Sequence, residues 1–273
     1  YWTTYPEAVK ISGGKPVIVD TFFEDDFKIN VEQLNLLKTD KTKILVWVSP
    51  SNPTGVVYTK EEAERIYNWA FENDVWILSD ELYEHLVYEG NTSPSPAQYD
   101  KELKNTIVIN GVAKAYSMTG WRVGWIIANS EVIDMAKKIQ SHATSNVSNL
   151  SQIAAYSALK NGLDETNIMK QSFNRRRLFA IEEFSKVENV KLIQSTGAFY
   201  LFPDISYYCS GNVINGVNSS IDFCNWLLEE YYIAFVPGEV FGKEGFFRCS
   251  YALSDENLEE GLKRFSKAIK DIK

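Results

Sequence analysis

Cysteine, histidine and methionine are scarce in this chain of 273 residues, which has three cysteines, two histidines and three methionines. The cysteines Cys209, Cys224 and Cys249 form no CxxC pair and are odd in number. We therefore predict free or buried thiols in a reducing compartment rather than a disulfide framework. The two histidines, His85 and His142, lie in no HExxH or Cys/His cluster, so no metal site is expected.

The chain also lacks an excess of positive charge and long apolar runs. The formal net charge is −8, whereas a duplex nucleic-acid binder usually presents a basic face. No apolar run approaches the ~20 residues of a membrane span. The N-terminus, Tyr-Trp-Thr-Thr-Tyr-Pro, has the pattern of neither a signal peptide nor a transit peptide. We expect a cytoplasmic protein with no nucleic-acid or membrane partner.

Hydrophobic residues are plentiful, at 45% of the chain, which is enough for a substantial core. In the first half, short apolar runs alternate with helical patterns, which is typical of an α/β fold with right-handed crossovers. Thr59 and Glu62 have the spacing of a capping box at the start of one helix. The predicted strands are 16–20, 43–50, 75–80, 106–110 and 122–128, and the predicted helices between them are 31–38 and 59–73.

The pattern changes after about residue 130, where helices dominate before strands return. This shift predicts a large domain over residues 1–165 and a smaller α+β domain over residues 166–273. The predicted helices here are 130–141, 149–160, 164–187, 220–230 and 255–272, and the predicted strands are 197–205, 232–236 and 246–251.

One segment, GVAKAYSMTGWRVGW at residues 111–125, carries a reactive amine and a guanidinium eight positions apart. Lys114 could form a Schiff base, and Arg122 could bind an anion with its planar fork. Each also has an ordinary alternative, since most lysines are solvated surface residues and an arginine is often an ion-pair partner.

Three polar loops follow predicted strands, at the strand ends where open α/β sheets bind ligands. They are SPSNPTG at 49–55, DELY at 80–83 and the Lys114 loop at 111–120. Taken singly, Asn52 belongs to an ordinary turn, Asp80 could cap a helix, and Tyr83 could be a packing residue. Together with the nearby Arg122, these loops supply an amine, an acid, a phenol and a cation, which a pyridoxal phosphate site needs.

The chain resembles the fold-type I, pyridoxal-phosphate-dependent aminotransferases of class I, and most closely the prokaryotic-type aspartate aminotransferases. The resemblance implies the PLP-dependent transferase fold, an α/β architecture with a mainly parallel sheet flanked by helices and a smaller α+β C-terminal domain. The motifs that carry it are SPSNPTG, SDELYEHLVYEG, NGVAKAYSMTGWRVGW, TGAFYLFPDIS and VPGEVFG followed by FRCSYALSDENLEEGLKRF.

The resemblance also implies a role for each matching residue. Lys114 would bind the cofactor covalently and then move the proton at the substrate Cα. Around the cofactor, Asp80 would partner the pyridine nitrogen, Tyr83 and Asn52 the phenolic oxygen, and Arg122 the phosphate. Arg248, in FRCSYA, would bind the substrate α-carboxylate, with Asn52 beside it. Trp2 would stack on the ring face and line the substrate site.

Two departures from the family pattern matter. Ala113 stands before the lysine, where many relatives carry Ser or Thr. The Gly-rich segment that helps to bind the phosphate, and two strands that the family forms earlier in its chain, have no counterpart. We therefore expect an N-terminally truncated fragment with a gap in its sheet, and whether it is active alone stays open.

The function that the resemblance implies is transfer of an amino group between an L-amino acid, with aspartate as the best guess, and 2-oxoglutarate. The intact protein is expected to be a homodimer. Within the class, prephenate or aromatic, alanine and kynurenine transamination stay open. The resemblance is also compatible with a PLP-dependent C–S lyase or ACC synthase, and with the effector domain of a PLP-binding regulator.

Overall fold

The computed structural model describes residues 1–272 and divides into two compact units. The strand-rich unit comprises residues 17–50 and 57–170, and the C-terminal unit comprises residues 1–16, 51–56 and 171 onward. The boundary between residues 165 and 166 stays a prediction, and Lys273 at the end of the second predicted domain lies outside the described residues. The helices are α1 (Thr4–Ile11), α2 (Val31–Leu37), α3 (Lys60–Glu72), α4 (Ser130–Ala143), α5 (Asn149–Asn161), α6 (Leu163–Ser185), α7 (Ser220–Tyr231) and α8 (Asp255–Lys270).

A four-stranded sheet forms the centre of the strand-rich unit. Its strands are β1 (Ile44–Val48), β2 (Trp76–Asp80), β3 (Thr106–Gly111) and β4 (Gly124–Ile127), in that spatial order. The first three are parallel, and β4 is antiparallel to β3. The sequence prediction of these four strands is confirmed.

Helix α3 begins where its sequence cap predicts. Thr59 Oγ1 accepts from the Glu62 amide at 3.2 Å, and the Glu62 carboxylate accepts from the Thr59 amide at 2.7 Å, so the predicted capping box is present. The apolar side of α3 packs with β1 and β2 into a core made of Leu34, Trp47, Tyr58, Ala63, Ile66, Tyr67, Trp69, Ala70, Val75 and Ile77.

The predicted strand at residues 16–20 is wrong, because this segment adopts no regular structure. Its β-branched composition favours a strand, but Val17 is 56% exposed and no ladder joins the segment to β1. A strand needs a neighbouring backbone to pair with, and propensity alone does not supply one. The expected gap therefore does not lie inside the described sheet, of which β1 is the edge strand.

The C-terminal unit contains a small antiparallel sheet of β5 (Tyr200–Leu201), β6 (Val236–Pro237) and β7 (Phe247–Ser250), in the order β5-β7-β6. All three strands are shorter than predicted, β5 and β6 the most. Ala198 has a positive φ before β5, and Tyr232 takes a left-handed conformation at the end of α7, so β6 begins only at Val236. Stacked aromatic rings fill the space under α7 and α8, and the Phe235 and Phe247 centroids are 4.3 Å apart.

Helix α1 was not predicted from the sequence, whereas α4 to α8 match their predicted positions closely. Among residues 1–272, no helix is both long enough and apolar enough to cross a bilayer.

Candidate active site

Three predicted site residues lie at one edge of the sheet in the strand-rich unit. Asp80 is the last residue of β2, and Lys114 follows β3. Because β2 and β3 are parallel, they end at the same edge. Strand β4 runs the opposite way, with Gly124 paired to Gly111, so Arg122 enters β4 from that edge. This is the side where open α/β sheets bind ligands.

Asp80 is a buried carboxylate, with a side chain only 6% exposed. Its Oδ1 accepts from the Leu82 amide at 3.2 Å. Tyr83 is 4% exposed and lies in a compact turn. The Leu86 amide donates a hydrogen bond to the Tyr83 carbonyl at 2.8 Å and closes this turn. Asp80 therefore caps a turn rather than a helix.

Glu81, which no sequence pattern singled out, is a second buried acid beside Asp80. Its Oε1 accepts from the Ser79 hydroxyl at 2.7 Å and from the Ser95 hydroxyl at 2.5 Å. Burial raises the pKa of Glu81 above its ordinary value, although the two hydroxyl bonds act in the opposite direction. The local sequence Asp-Glu-Leu does not indicate that Glu81 is buried and bonded to two hydroxyls, because Ser95 lies near it only in the folded chain.

The turn around Tyr83 is joined to the end of β3 through Asn110. The Asn110 amide nitrogen donates to Glu84 Oε1 at 2.5 Å, and its Oδ1 accepts from the Gly111 backbone at 2.7 Å. A Cβ at Gly111 would lie 2.8 Å from the Val123 carbonyl, so glycine is required where β3 and β4 come together. These contacts fix the strand end from which the Lys114 loop leaves.

Lys114 is half-buried and Arg122 is exposed within this loop. The Lys114 carbonyl accepts from the Ser117 amide at 3.1 Å. Arg122 has a positive φ of 59°, and its Nη1 donates to the Thr119 carbonyl at 2.9 Å. The loop thus bends back on itself and leaves a guanidinium at the surface, where an anion can reach it.

Arg248 and Asn52 meet in the C-terminal unit, although 196 positions separate them. Arg248 Nη1 donates to Asn52 Oδ1 at 2.8 Å. The guanidinium carbon lies 4.5 Å from the Tyr200 ring centroid and 4.9 Å from that of Phe241. Its Nε is buried and has no hydrogen-bond partner in the described structure. A guanidinium that lies against two aromatic rings and has an unpaired donor is suited to bind a carboxylate.

Asn52 is 7% exposed and lies in a turn over residues 51–55, while Trp2 is 41% exposed and packs edge-on against Tyr5 at 5.6 Å. The predicted set therefore falls into two groups. Asp80, Tyr83, Lys114 and Arg122 belong to the strand-rich unit, and Asn52, Arg248 and Trp2 belong to the C-terminal unit. Their predicted roles remain predictions.

The chain matches known proteins over nearly its whole length. The family model described as "Aminotransferase class I and II" matches residues 1–265. An aspartate aminotransferase of Streptomyces avermitilis is 44% identical over 100% of this chain and 67% of its own length. A probable aspartate/prephenate aminotransferase of Aquifex aeolicus is 41% identical over 100% of this chain and 68% of its own length.

Solved structures give the same result for the fold. An aspartate aminotransferase from Thermus thermophilus with maleate has a TM-score of 0.90 at 37% identity, over 98% of this chain and 67% of the other. An aromatic aminotransferase from Pyrococcus horikoshii has a TM-score of 0.91 at 37% identity, over 98% of this chain and 70% of the other. The chain therefore belongs to the class I and II aminotransferase family and has its PLP-transferase fold.

Proposed function

We propose that the protein uses pyridoxal 5'-phosphate to transfer an amino group between L-aspartate and 2-oxoglutarate. Aspartate is favoured because several similar relatives carry that substrate in their names. Some relatives are named for prephenate as well, which makes prephenate transamination the second candidate.

The observation that carries this proposal is the environment of the Arg248 guanidinium. The guanidinium lies against the rings of Tyr200 and Phe241, which restricts its movement, and its Nε has no hydrogen-bond partner in the described structure. Every amino acid and every 2-oxo acid carries a carboxylate next to its reacting carbon. One fixed fork can therefore hold the amino donor and the amino acceptor in the same orientation.

The residues of the strand-rich unit fit a pyridoxal phosphate by their chemistry. Asp80 is a buried acid suited to the pyridine nitrogen, and Tyr83 is a buried phenol suited to the ring's phenolic oxygen. The exposed guanidinium of Arg122 is suited to a phosphate, and Lys114 offers the amine that joins an aldehyde. From the C-terminal unit, Asn52 would add a second donor to the phenolic oxygen, and Trp2 would cover the ring face.

When bound, the cofactor supplies an electron sink for the charge left at the substrate Cα. Lys114 would take the proton from the substrate Cα and return it to the cofactor carbon C4′, acting first as general base and then as general acid. Arg248 would hold the α-carboxylate of the substrate. Asp80 would keep a proton on the ring nitrogen, which its negative charge favours.

The direct test is to add pyridoxal phosphate to the protein, record the absorbance spectrum, and then add aspartate with 2-oxoglutarate. We expect a new visible band on cofactor binding and formation of oxaloacetate and glutamate in equal amounts. Release of free ammonia without glutamate would instead indicate a lyase. No band and no product would refute the proposal for the protein assayed.

Arg248→Lys tests the carboxylate role. An ammonium keeps the charge but cannot form two parallel bonds to a carboxylate, so the KM for both substrates should rise roughly ten- to hundredfold. A KM unchanged for both would show that the α-carboxylate binds elsewhere.

We also propose that the intact protein is a cytoplasmic homodimer whose large, cofactor-binding domain ends near residue 165. The small-molecule partners would be the amino acid and the 2-oxo acid.

A further inference from the structure

The turn that carries Asn52 is held by a buried serine of the C-terminal unit. The Gly55 amide donates a hydrogen bond to the Ser51 carbonyl at 2.9 Å, which closes the turn. The Gly55 carbonyl accepts from the Gly197 amide at 2.8 Å and from Ser195 Oγ at 3.1 Å. The same hydroxyl lies 3.0 Å from the Gly197 carbonyl, so its one proton is shared between two acceptors. Ser195 has 0% exposure, so its hydroxyl bonds in a site that excludes water.

Ser195 is itself anchored by a buried arginine. Arg177 has 0% exposure, and its Nη1 donates to the Ser195 carbonyl at 2.6 Å. Its Nε donates to Asn174 Oδ1 at 2.9 Å. A buried guanidinium is costly unless its donors are satisfied, so these bonds hold the Ser195 backbone in one place.

The fit between Ser195 and the turn leaves no spare room. Gly55 has a φ of 70°, and a Cβ built on it would lie 1.9 Å from Ser195 Oγ and 2.8 Å from the Gly197 carbonyl. The two backbones approach so closely that a small movement of the serine must move the turn.

The segment that begins at Ser195 also reaches Arg248. The Ala198 carbonyl accepts from Tyr251 Oη at 3.2 Å, which ties the segment to the end of β7. Tyr200 then pairs with Ser250 in β7, and its ring lies against the Arg248 guanidinium. One stretch of chain therefore holds the Asn52 turn at one end and supports Arg248 at the other.

We propose that Ser195 is a positioning residue for the Asn52–Arg248 pair, acting through the Gly55 carbonyl. The proposal rests on the proposed function of Arg248 as the carboxylate site. Without the hydroxyl, only the Gly197 amide holds the Gly55 carbonyl, and the Asn52 amide loses its fixed place beside Arg248. Binding of any ligand with a carboxylate at this site weakens, whereas the proton transfer at Lys114 is not directly affected.

The test compares Ser195→Ala with wild type in the cofactor-loaded protein, using the unreactive dicarboxylate maleate as probe. Calorimetry should give a maleate Kd roughly two- to tenfold higher, as expected for one lost neutral hydrogen bond. The KM for aspartate and for 2-oxoglutarate should rise by a similar factor, with kcat nearly unchanged. Ser185→Ala is the matched control, since its hydroxyl also donates to a carbonyl, that of Glu182, and it should change nothing.

A double-mutant cycle separates positioning from a general structural role. If Ser195 acts through Asn52, Ser195→Ala should add no further loss of maleate affinity to the Asn52→Ala variant. Ser195→Gly also removes the hydroxyl and adds no bulk, so it should weaken maleate binding in the same direction, which covers the case that the alanine variant folds poorly.

An unchanged maleate Kd in Ser195→Ala, or the same loss in the Asn52→Ala background, would overturn the positioning role alone. A wild-type protein that neither binds maleate nor transfers an amino group would overturn the proposed function together with it.

Discussion

At the scale of single residues, the proposed chemistry depends first on the amine of Lys114. Lys114→Ala removes the only group proposed to join the cofactor covalently, so the visible band and the turnover should both be lost. Borohydride reduction followed by mass spectrometry should label the peptide around residue 114 in wild type and leave the variant unlabelled. Lys104→Ala is the control, because Lys104 is an exposed lysine paired with Glu102 at 3.0 Å. Full turnover in Lys114→Ala would refute the assignment.

Glu81 should make the stability of the protein depend on pH. Burial raises its pKa, so the folded state favours the neutral carboxyl. Its contribution to stability is present below the unfolded pKa of about 4.3 and is lost as the pH rises through the raised folded value. Glu81→Gln stays neutral and can still accept the serine hydroxyl bonds. It should therefore be more stable than wild type at neutral pH.

Urea denaturation of Glu81→Gln and wild type at several pH values between about 8 and 4 provides the measurement. The advantage of the variant should be constant above the folded pKa of Glu81 and should shrink as the pH falls below it, toward the unfolded pKa of about 4.3. A difference in the free energy of unfolding that stays constant down to the lowest pH would contradict a raised pKa of Glu81.

At the scale of helices and strands, local signals predict structure correctly where pairing partners lie within the chain. The runs that became β1 to β4 each find a neighbour in the sheet, and the Thr59–Glu62 box begins α3 as its spacing predicts. The run at residues 16–20 is equally apolar but pairs with no strand, because propensity cannot supply a neighbour.

The same limit applies to the site. Strand order alone brings Asp80, Lys114 and Arg122 to one edge, so these positions could be predicted. The stacking of Tyr200 on Arg248 and the bond from Ser195 to Gly55 join segments far apart in sequence. Such contacts depend on how the chain packs, and no local pattern of residues encodes them.

The capping box gives a prediction at this scale. Thr59→Ala leaves the Glu62 amide at the start of α3 without its side-chain acceptor, which should cost about 1 kcal/mol of unfolding free energy. Urea denaturation measures the loss. Ser141→Ala, which removes an exposed hydroxyl bonded to the Lys138 carbonyl within α4, should stay within about 0.5 kcal/mol of wild type. Equal stability of Thr59→Ala and wild type would mean that α3 is held by packing alone.

At the scale of the whole molecule, the strand-rich unit exposes large apolar side chains on β4, α4 and α5, which follow one another along the chain. Strand β4 exposes Ile126 and Ile127 at 42% and 48%, on opposite faces because successive strand residues alternate. Helix α4 exposes Ile139 at 70%, and α5 exposes Ile153 and Tyr156 at 66% and 63%. Exposed apolar surface often marks a contact between chains. The apolar surface of α5 is therefore where we expect the proposed homodimer to form.

Charge introduced into that surface should break the association. Sedimentation velocity of the wild-type protein should give twice the mass of one chain, and Ile153→Glu should shift the equilibrium toward the single-chain mass. Because Ile153 is exposed in the single chain, the substitution should change the free energy of unfolding of that single chain by less than about 0.5 kcal/mol. Leu36→Glu is the matched control, since Leu36 is 86% exposed on α2, away from α4 and α5 in the sequence, and should leave the mass unchanged. A wild-type protein that sediments as one chain at every concentration would refute the homodimer, whereas a dimer unaffected by Ile153→Glu would place its interface on another surface.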